Sequence, residues 1–420
     1  MKKDARFLTV KILDQFSNNP IKLDLITNEI FSKFKPDPLI RSRVYVLSKE
    51  IIRFKGRLVL MIEFISNRPH NRIDLSILST LKIAFYEIVM DDEVPDYAAV
   101  DSAVTLTNGL LNRRAAGFTN AVLRKLTRKM QEDKNWFRSL MDDPNWHSLP
   151  NWIQERWRGQ FGKQQFLKMV EKINLPSSSF IRVEIHKITM SAVIELLTNE
   201  GIKTEEFSPT FLKVYAGSGK ILNTDLFKKG HISIQDPASA AIVDCLDARS
   251  GDTILDVCAA PGTKTLYLSN IVGKEGSVLA SDKNSERVRM GKKDMNRHGQ
   301  RNITWSIKDA RKDSYPLADR ILIDAPCTGT GVLARRPDIR WICKPQDIKV
   351  SSKKQIEILN NCSRFLKTKG TIVYATCSIE PEENWNVVDR FLKLNTEFLI
   401  DSIPSEVPFD WIDGRGGLRT

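Results

Sequence analysis

The chain has 420 residues, 41% hydrophobic and 27% charged, an ordinary globular composition with room for two or three separately cored domains. Its formal net charge of +13 and pI of about 9.4 suit a polyanionic partner such as nucleic acid, and suit plain solubility equally well. Neither a membrane anchor nor a secretory signal is expected: no apolar run spans a bilayer, and the opening MKKDARFLTVKILDQF is broken by charges with no small-residue cleavage site, so a cytoplasmic protein is expected.

Residues 1–140 read as all-helical. Apolar residues recur at helical spacing in RVYVLSKEIIRFKGRLVLMIEFI (43–65) and LSILSTLKIAFYEIVM (75–90), and Pro36, Pro38, Pro69 and Pro95 fall between these patterns. This third of the chain carries 24 Lys and Arg against 16 Asp and Glu. Within it, FTNAVLRKLTRK (118–129) groups Arg124, Lys125, Arg128 and Lys129 at helical spacing, a solvated face or a phosphate-binding one.

A tryptophan-rich, proline-broken stretch (142–162) leads into residues 178–215, which read strand, helix, strand. Residues 141–235 are therefore expected to form a small α/β module. From 236 onward strands alternate with helices: TILDV (253–257), SVLASD (277–282), ITWSI (303–307), RILID (320–324) and GTIVYAT (370–376) are the strands, with helices such as 284–297 and 347–367 between them. Alternation of this kind predicts a parallel, doubly wound sheet over 236–420, with ligands beyond the carboxyl ends of its strands.

The first of those ends carries LDVCAAPGTKT (255–265). Ala259, Ala260 and Gly262 allow close backbone approach to a ligand, and the next helix presents its amides there. The spacing fits neither GxxxxGK[ST] nor GxGxxG. Asp282 ends the second strand, 20 residues after Gly262, where an acid accepts from ribose hydroxyls; Asp309 and Asp324 end the third and fourth. Taken singly, each acid is an ordinary cap or turn residue. Together they suit a ligand with an adenosine and a carboxylate but no phosphate, and S-adenosylmethionine is such a ligand.

The six cysteines (245, 258, 327, 343, 362 and 377) contain no CxxC pair, and the five histidines no HExxH, so neither a disulfide framework nor a metal site is expected. Cys245, Cys258 and Cys362 read as small core residues. Cys327 in DAPCTGTGVLARRPDIRW (324–341) and Cys377 in YATCSIEPEENW (374–385) instead sit at strand ends in polar surroundings. Spacing alone does not say which of the two does chemistry.

These three motifs resemble the signatures of RNA cytosine-5 methyltransferases. VPDYAAVDSAV (94–104) and RAAGFTNAVLRKL (114–126) resemble the helical domain related to the antitermination factor NusB, and GHISIQDPASA (230–240) the lead-in to the catalytic domain. Across nearly the whole chain the pattern is similar to the RsmB/Sun family of bacterial 16S rRNA methyltransferases. The resemblance implies an α+β multidomain protein: an all-α NusB-like RNA-binding domain (1–140), a small α/β module (141–235) and a Rossmann-like methyltransferase domain (236–420).

It further implies methylation of carbon 5 of the 16S rRNA cytosine conventionally numbered 967, by a monomer acting on 16S rRNA or a small-subunit precursor. The implied cofactor, S-adenosylmethionine, is held by Cys258, Ala259, Ala260, Pro261, Gly262, Thr263 and Lys264 with Asp282, Asp309 and Asp324. Cys377 is the implied nucleophile, attacking carbon 6 so that carbon 5 becomes an enamine carbon able to accept the methyl. Cys327 assists product release, and Asp324 joins the catalytic set. Other readings are the same chemistry on tRNA or 23S rRNA, and a non-catalytic RNA-binding assembly factor; DNA methylation would leave Cys377 idle.

Three departures from the family pattern carry expectations. Thr263 replaces a glycine and is tolerated only at negative φ. IRVE (181–184) replaces LRVN. The chain stops at WIDGRGGLRT (411–420), so EFLIDS (397–402) is expected to form an open-edged strand, lacking the final strand that relatives have, with reduced stability or activity.

Overall fold

The computed structural model describes residues 4–91, 93–404 and 407–420, and packing divides the chain into two compact units. One comprises residues up to 177 together with 332–344; the other comprises 178–331 and 345–420. This partition differs from the expected boundaries at 140 and 235 because residues 142–177 pack among the N-terminal helices.

The first unit is helical: α1 (Ala5–Asn18), α2 (Leu23–Phe34), α3 (Pro38–Arg53), α4 (Lys55–Ser66), α5 (Leu75–Val89), α6 (Asp96–Leu110), α7 (Arg113–Glu132) and α8 (Asn151–Asn174). Asp4, Asp37, Asp74 and Asn112 cap α1, α3, α5 and α7 by accepting first-turn amides. Helix α5 is buried on every side from Leu78 to Ile88, as its nearly uninterrupted apolar run demands, and the other helices wrap it. The tryptophans of the proline-broken stretch complete this core: Trp146 stacks on Phe137, and Trp157 is fully buried on α8. Helix α7 buries Ala116, Val122, Leu123 and Leu126 and leaves Arg113, Arg114, Arg124, Lys125 and Arg128 exposed.

The second unit begins with β1 (Ser179–Val183), α9 (Met190–Asn199), β2 (Lys203–Ser208), β3 (Phe211–Ala216), α10 (Asp225–Lys228) and β4 (Ile232–Ile234). Its antiparallel sheet runs β2-β3-β1-β4, so the expected second strand of this module is a hairpin of two, turning at Ser208–Thr210. Next come α11 (Pro237–Asp244), β5 (Thr253–Val257), α12 (Thr263–Val272), β6 (Ser277–Asp282), α13 (Ser285–His298), β7 (Ile303–Ile307) and β8 (Ala318–Asp324). The chain passes through α14 (Ile339–Ile342), which belongs to the first unit, and returns for α15 (Pro345–Ser363), β9 (Leu366–Ala375) and α16 (Trp385–Leu394).

These five strands form an all-parallel sheet ordered β7-β6-β5-β8-β9. Strand order reverses between β5 and β8, which opens a crevice at their carboxyl ends. All five strands match the sequence expectation. EFLIDS does not: residues 397–402 form no strand, and β9 is the sheet edge among the described residues. The residues after it fold onto α16 instead, where Trp385 Nε1 donates to Asp413 at 2.8 Å and Arg415 lies over the Trp385 ring while pairing with Asp389.

Residues 332–344 are clasped within the helical unit. Asp338 accepts from the Leu23 amide at the start of α2 (3.0 Å), and Trp341 Nε1 donates to Ile52 O (2.8 Å). Arg340 has no exposed surface; it donates to the carbonyls of Arg53, Ser148, Ile173 and Leu333 and to Asn174 Oδ1 (2.8–3.3 Å). Burial pushes its pKa down to about 9, which still leaves it charged at neutral pH. Arg340→Ala strands those acceptors, and the helical unit is expected to lose about 3–5 kcal/mol. Urea unfolding measures this, and a loss under about 1 kcal/mol would refute the clasp.

Candidate active site

Parallel pairing of β8 with β9 aligns Asp324 with Ala375, and Ala325 N donates to Ala375 O at 2.9 Å just beyond. The two chains therefore leave the sheet side by side. Cys327 follows Asp324 by three residues and Cys377 follows Ala375 by two, and their Sγ atoms stand 3.1 Å apart. Further hydrogen bonds stitch the loops together. Gly331 N donates to Cys377 O (3.0 Å), and a Cβ at Gly331 would lie 2.9 Å from that oxygen, so glycine is required there by contact. Ile379 N donates to Thr330 Oγ1 (3.2 Å), and Asn384 Nδ2 donates to the carbonyls of Ser378 and Glu380.

The two thiols are electrostatically unequal. The hydrogen bond with Cys327 lowers the pKa of Cys377 against burial and the nearby Asp324 charge, both of which raise it, with Lys264 a smaller lowering influence. The same bond, with burial, drives Cys327 far above the ordinary thiol value. Of the two, Cys377 is the exposed member and Cys327 the more enclosed one.

The cofactor-type loop lies at the end of β5. Cys258 takes a left-handed φ of 63°, Ala259 N donates to Ser281 O (2.8 Å), and Gly262 takes φ 110° at the start of α12. A Cβ on Gly262 would meet the Trp305 ring at 2.8 Å, so glycine is required where the loop packs on that ring. Thr263 is the first residue of α12 and is absent from the positive-φ residues, which removes the strain considered for it. Burial drives the Cys258 thiol well above its ordinary pKa, so this cysteine contributes backbone shape, not reactivity.

Each expected acid stands at its strand end, with different neighbours. Asp282 is buried, accepts from Asn284 N (2.9 Å) and pairs with Arg287 (3.3 Å). Asp309 is gripped bidentately by Arg311 (3.0 and 2.7 Å) and by Lys283 (3.3 Å), and the Arg311 bonds hold its pKa well below the carboxylate range. Asp324 pairs with Lys264 at 2.9 Å, which joins the cofactor-type loop to the thiol-bearing strand ends. Ala260 is buried beneath the loop, beside Pro261.

Two acids went unnoticed in the sequence. Asp256, buried on β5, is pushed up to about 7 by burial and accepts from Thr265 Oγ1 at 2.6 Å. Glu383 lies fully buried between the thiol loops. The paired acids of EPEEN, directly after the Cys377 loop, were the available signal. Cys245, Cys343 and Cys362 lie elsewhere, with burial raising Cys245 to about 11 and Cys362 to about 12. Among the described residues no group of three or more metal-ligating side chains occurs, and no helix is long and apolar enough to cross a membrane.

Comparison with known proteins bears on the same three parts of the chain. Residues 243–409 match the family model of the 16S rRNA methyltransferase RsmB/F, residues 3–128 that of the NusB family, and residues 149–215 that of the RsmF/B-like ferredoxin-like domain. Ribosomal RNA small subunit methyltransferase B of Salmonella arizonae is 30% identical over 358 residues, covering 82% of this chain and 80% of its own. Its counterpart in Photorhabdus laumondii is 29% identical over 402 residues, covering 94% and 91%. The crystal structure of PH0851 aligns with a TM-score of 0.74 at 25% identity, over 96% of this chain and 93% of that one.

The thiol asymmetry predicts that iodoacetamide at neutral pH alkylates Cys377 ahead of Cys327, as read by peptide mass mapping. Removing the hydrogen bond with Cys327→Ala should move the pH midpoint of Cys377 alkylation upward, because the thiolate loses its donor. An unchanged or lower midpoint contradicts the assignment.

Proposed function

The chain belongs to the 16S rRNA methyltransferase RsmB/F family, and from that premise we propose that it methylates carbon 5 of a cytosine in 16S rRNA through a covalent adduct, with Cys377 as nucleophile and Cys327 assisting release. The observation that carries this reading is the 3.1 Å approach of the exposed Cys377 thiol to Cys327 beyond the ends of two paired strands.

The Cys377 thiolate adds to carbon 6 of the ring, and the displaced electron pair makes carbon 5 nucleophilic. After methyl transfer a base removes the carbon-5 proton, its electrons re-form the 5,6 double bond, and the carbon 6–sulfur bond breaks to free Cys377. Cys327, hydrogen-bonded to the departing sulfur, stabilises it as a thiolate and so favours release.

S-adenosylmethionine supplies, when bound, a methyl group on a cationic sulfur. The strand ends suit such a cofactor, because the small-residue loop after β5 stands between β6 and β8, which end in Asp282 and Asp324. Residues Cys258–Lys264 would hold it with Asp282 and Asp324, which suit ribose hydroxyls and positive charge. Asp309, its carboxylate engaged by Arg311 and Lys283 and its amide by Asp313, would contribute mainly through the shape of the strand end. Lys264 holds the Asp324 carboxylate in place. The exposed arginines and Lys125 of α7 would bind rRNA phosphates, in keeping with the chain's positive charge.

Cys327→Ala and Cys377→Ala proteins are compared with the parent on 16S rRNA, 23S rRNA and tRNA, following labelled methyl transfer and RNA-linked protein on denaturing gels. The expected result is methylation of 16S rRNA by the parent, an accumulating adduct with Cys327→Ala, and neither product nor adduct with Cys377→Ala. An adduct formed only by Cys377→Ala would reverse the roles of the two thiols. Transfer only to another RNA would overturn the substrate.

A further inference from the structure

Glu383 has 0% of its surface exposed, and its carboxylate lies where the two thiol loops meet. Its Oε1 accepts from Thr328 N at 2.9 Å and from Gln355 Nε2 at 3.0 Å. Its Oε2 accepts from Ser378 Oγ at 2.5 Å and from Thr328 Oγ1. Thr328 directly follows Cys327, and Ser378 directly follows Cys377. Gln355, on α15, also donates to the carbonyl of Pro326, the residue before Cys327 (3.1 Å). Glu383 is itself anchored, since Tyr374 Oη on β9 donates to its carbonyl at 2.6 Å and its own amide donates to Glu380 O at 3.0 Å.

Neighbouring strands lie about 4.8 Å apart, so sheet pairing alone does not bring two side-chain sulfurs to 3.1 Å. Some further force must draw the loops together past the ends of β8 and β9. A carboxylate with two donors on each oxygen, three from the two loops and one from α15, joins the loop-to-loop bonds in supplying that force. Burying it would be costly without those donors, so the loops converge on the one arrangement that satisfies it.

We propose that Glu383 is a positioning residue that holds Cys327 and Cys377 at their working separation. The proposal rests on the two-thiol reading above for its catalytic consequence, but not for its geometry. Attack by Cys377 and release aided by Cys327 both need that separation, and Glu383 touches neither sulfur.

Three variants test it. Glu383→Ala removes all four bonds. Glu383→Gln keeps the shape: its oxygen can face Thr328 N and Gln355, and its amide can donate to the two hydroxyls, which turn to accept. Thr328→Val removes only the hydroxyl on the Cys327 side, and serves if Glu383→Ala fails to fold. Thiol proximity is read without RNA by the rate at which diamide joins Cys327 to Cys377. In that step two thiols lose two protons and two electrons to the azo compound, leaving a disulfide and a hydrazine. Turnover on rRNA is read separately, with S-adenosylmethionine affinity as the control for folding.

Glu383→Ala should slow cross-linking about tenfold and turnover about a hundredfold at unchanged cofactor affinity, as expected for reacting groups displaced by about 1 Å. Glu383→Gln should restore most of both, and Thr328→Val should fall between. A folded Glu383→Ala or Thr328→Val protein that cross-links at the parental rate overturns the proposal. Slow cross-linking with undiminished methylation would leave the positioning role standing and instead overturn the two-thiol mechanism.

Discussion

Parallel pairing between β8 and β9 is the interaction on which the candidate site depends. Because Asp324 sits opposite Ala375, the segments leaving both strands emerge at one height on one end of the sheet. A shift of one residue would turn one set of side chains to the opposite face and separate the thiols. The buried runs of the sheet secure that register: Ile321 and Ile323 of β8 pack with Leu255 and Val257 of β5 and with Ile356 and Leu359 of α15. Apolar burial in the sheet thus determines where two polar loops begin. What draws the loops together beyond that point is hydrogen bonding.

Buried charge recurs where this chain must hold irregular segments. Arg340 satisfies carbonyls at the ends of α3 and α8 and in the segment between 332 and 344; Glu383 satisfies donors from two loops. Glu184 does something similar between β1 and α12. It pairs with Arg182 at 2.9 Å and accepts from Asn270 at 2.6 Å, so its buried carboxylate is met from two elements. Such groups add little net stability over well-packed apolar residues. They do specify one arrangement, since any other leaves a buried charge without partners.

The cofactor-type loop shows a different economy of residues. One glycine, Gly262, takes the left-handed conformation and the close approach to Trp305, which frees the next position for Thr263 at the start of α12. A second glycine is not needed once the helix begins there. The loop is coupled to the thiols through Lys264 and Asp324, so cofactor-side and nucleophile-side groups meet in one ion pair.

The helical first third, all five parallel strands and the strand-end places of Asp282, Asp309, Asp324, Cys327 and Cys377 were legible in the residues. Apolar periodicity and turn chemistry are local, and they survive packing. The β2–β3 hairpin, the strandless course of 397–402 and the membership of 332–344 in the helical unit were not legible, because each depends on partners distant in the chain. Glu383 illustrates the limit: by sequence it is one of two adjacent acids in a polar loop, and only folding removes it from water and gives it four donors. The sequence by itself determined which chemical groups this protein has and the strand ends that carry them. Their separation and their hydrogen-bond partners were decided by the tertiary structure, because burial and pairing are properties of the packed chain.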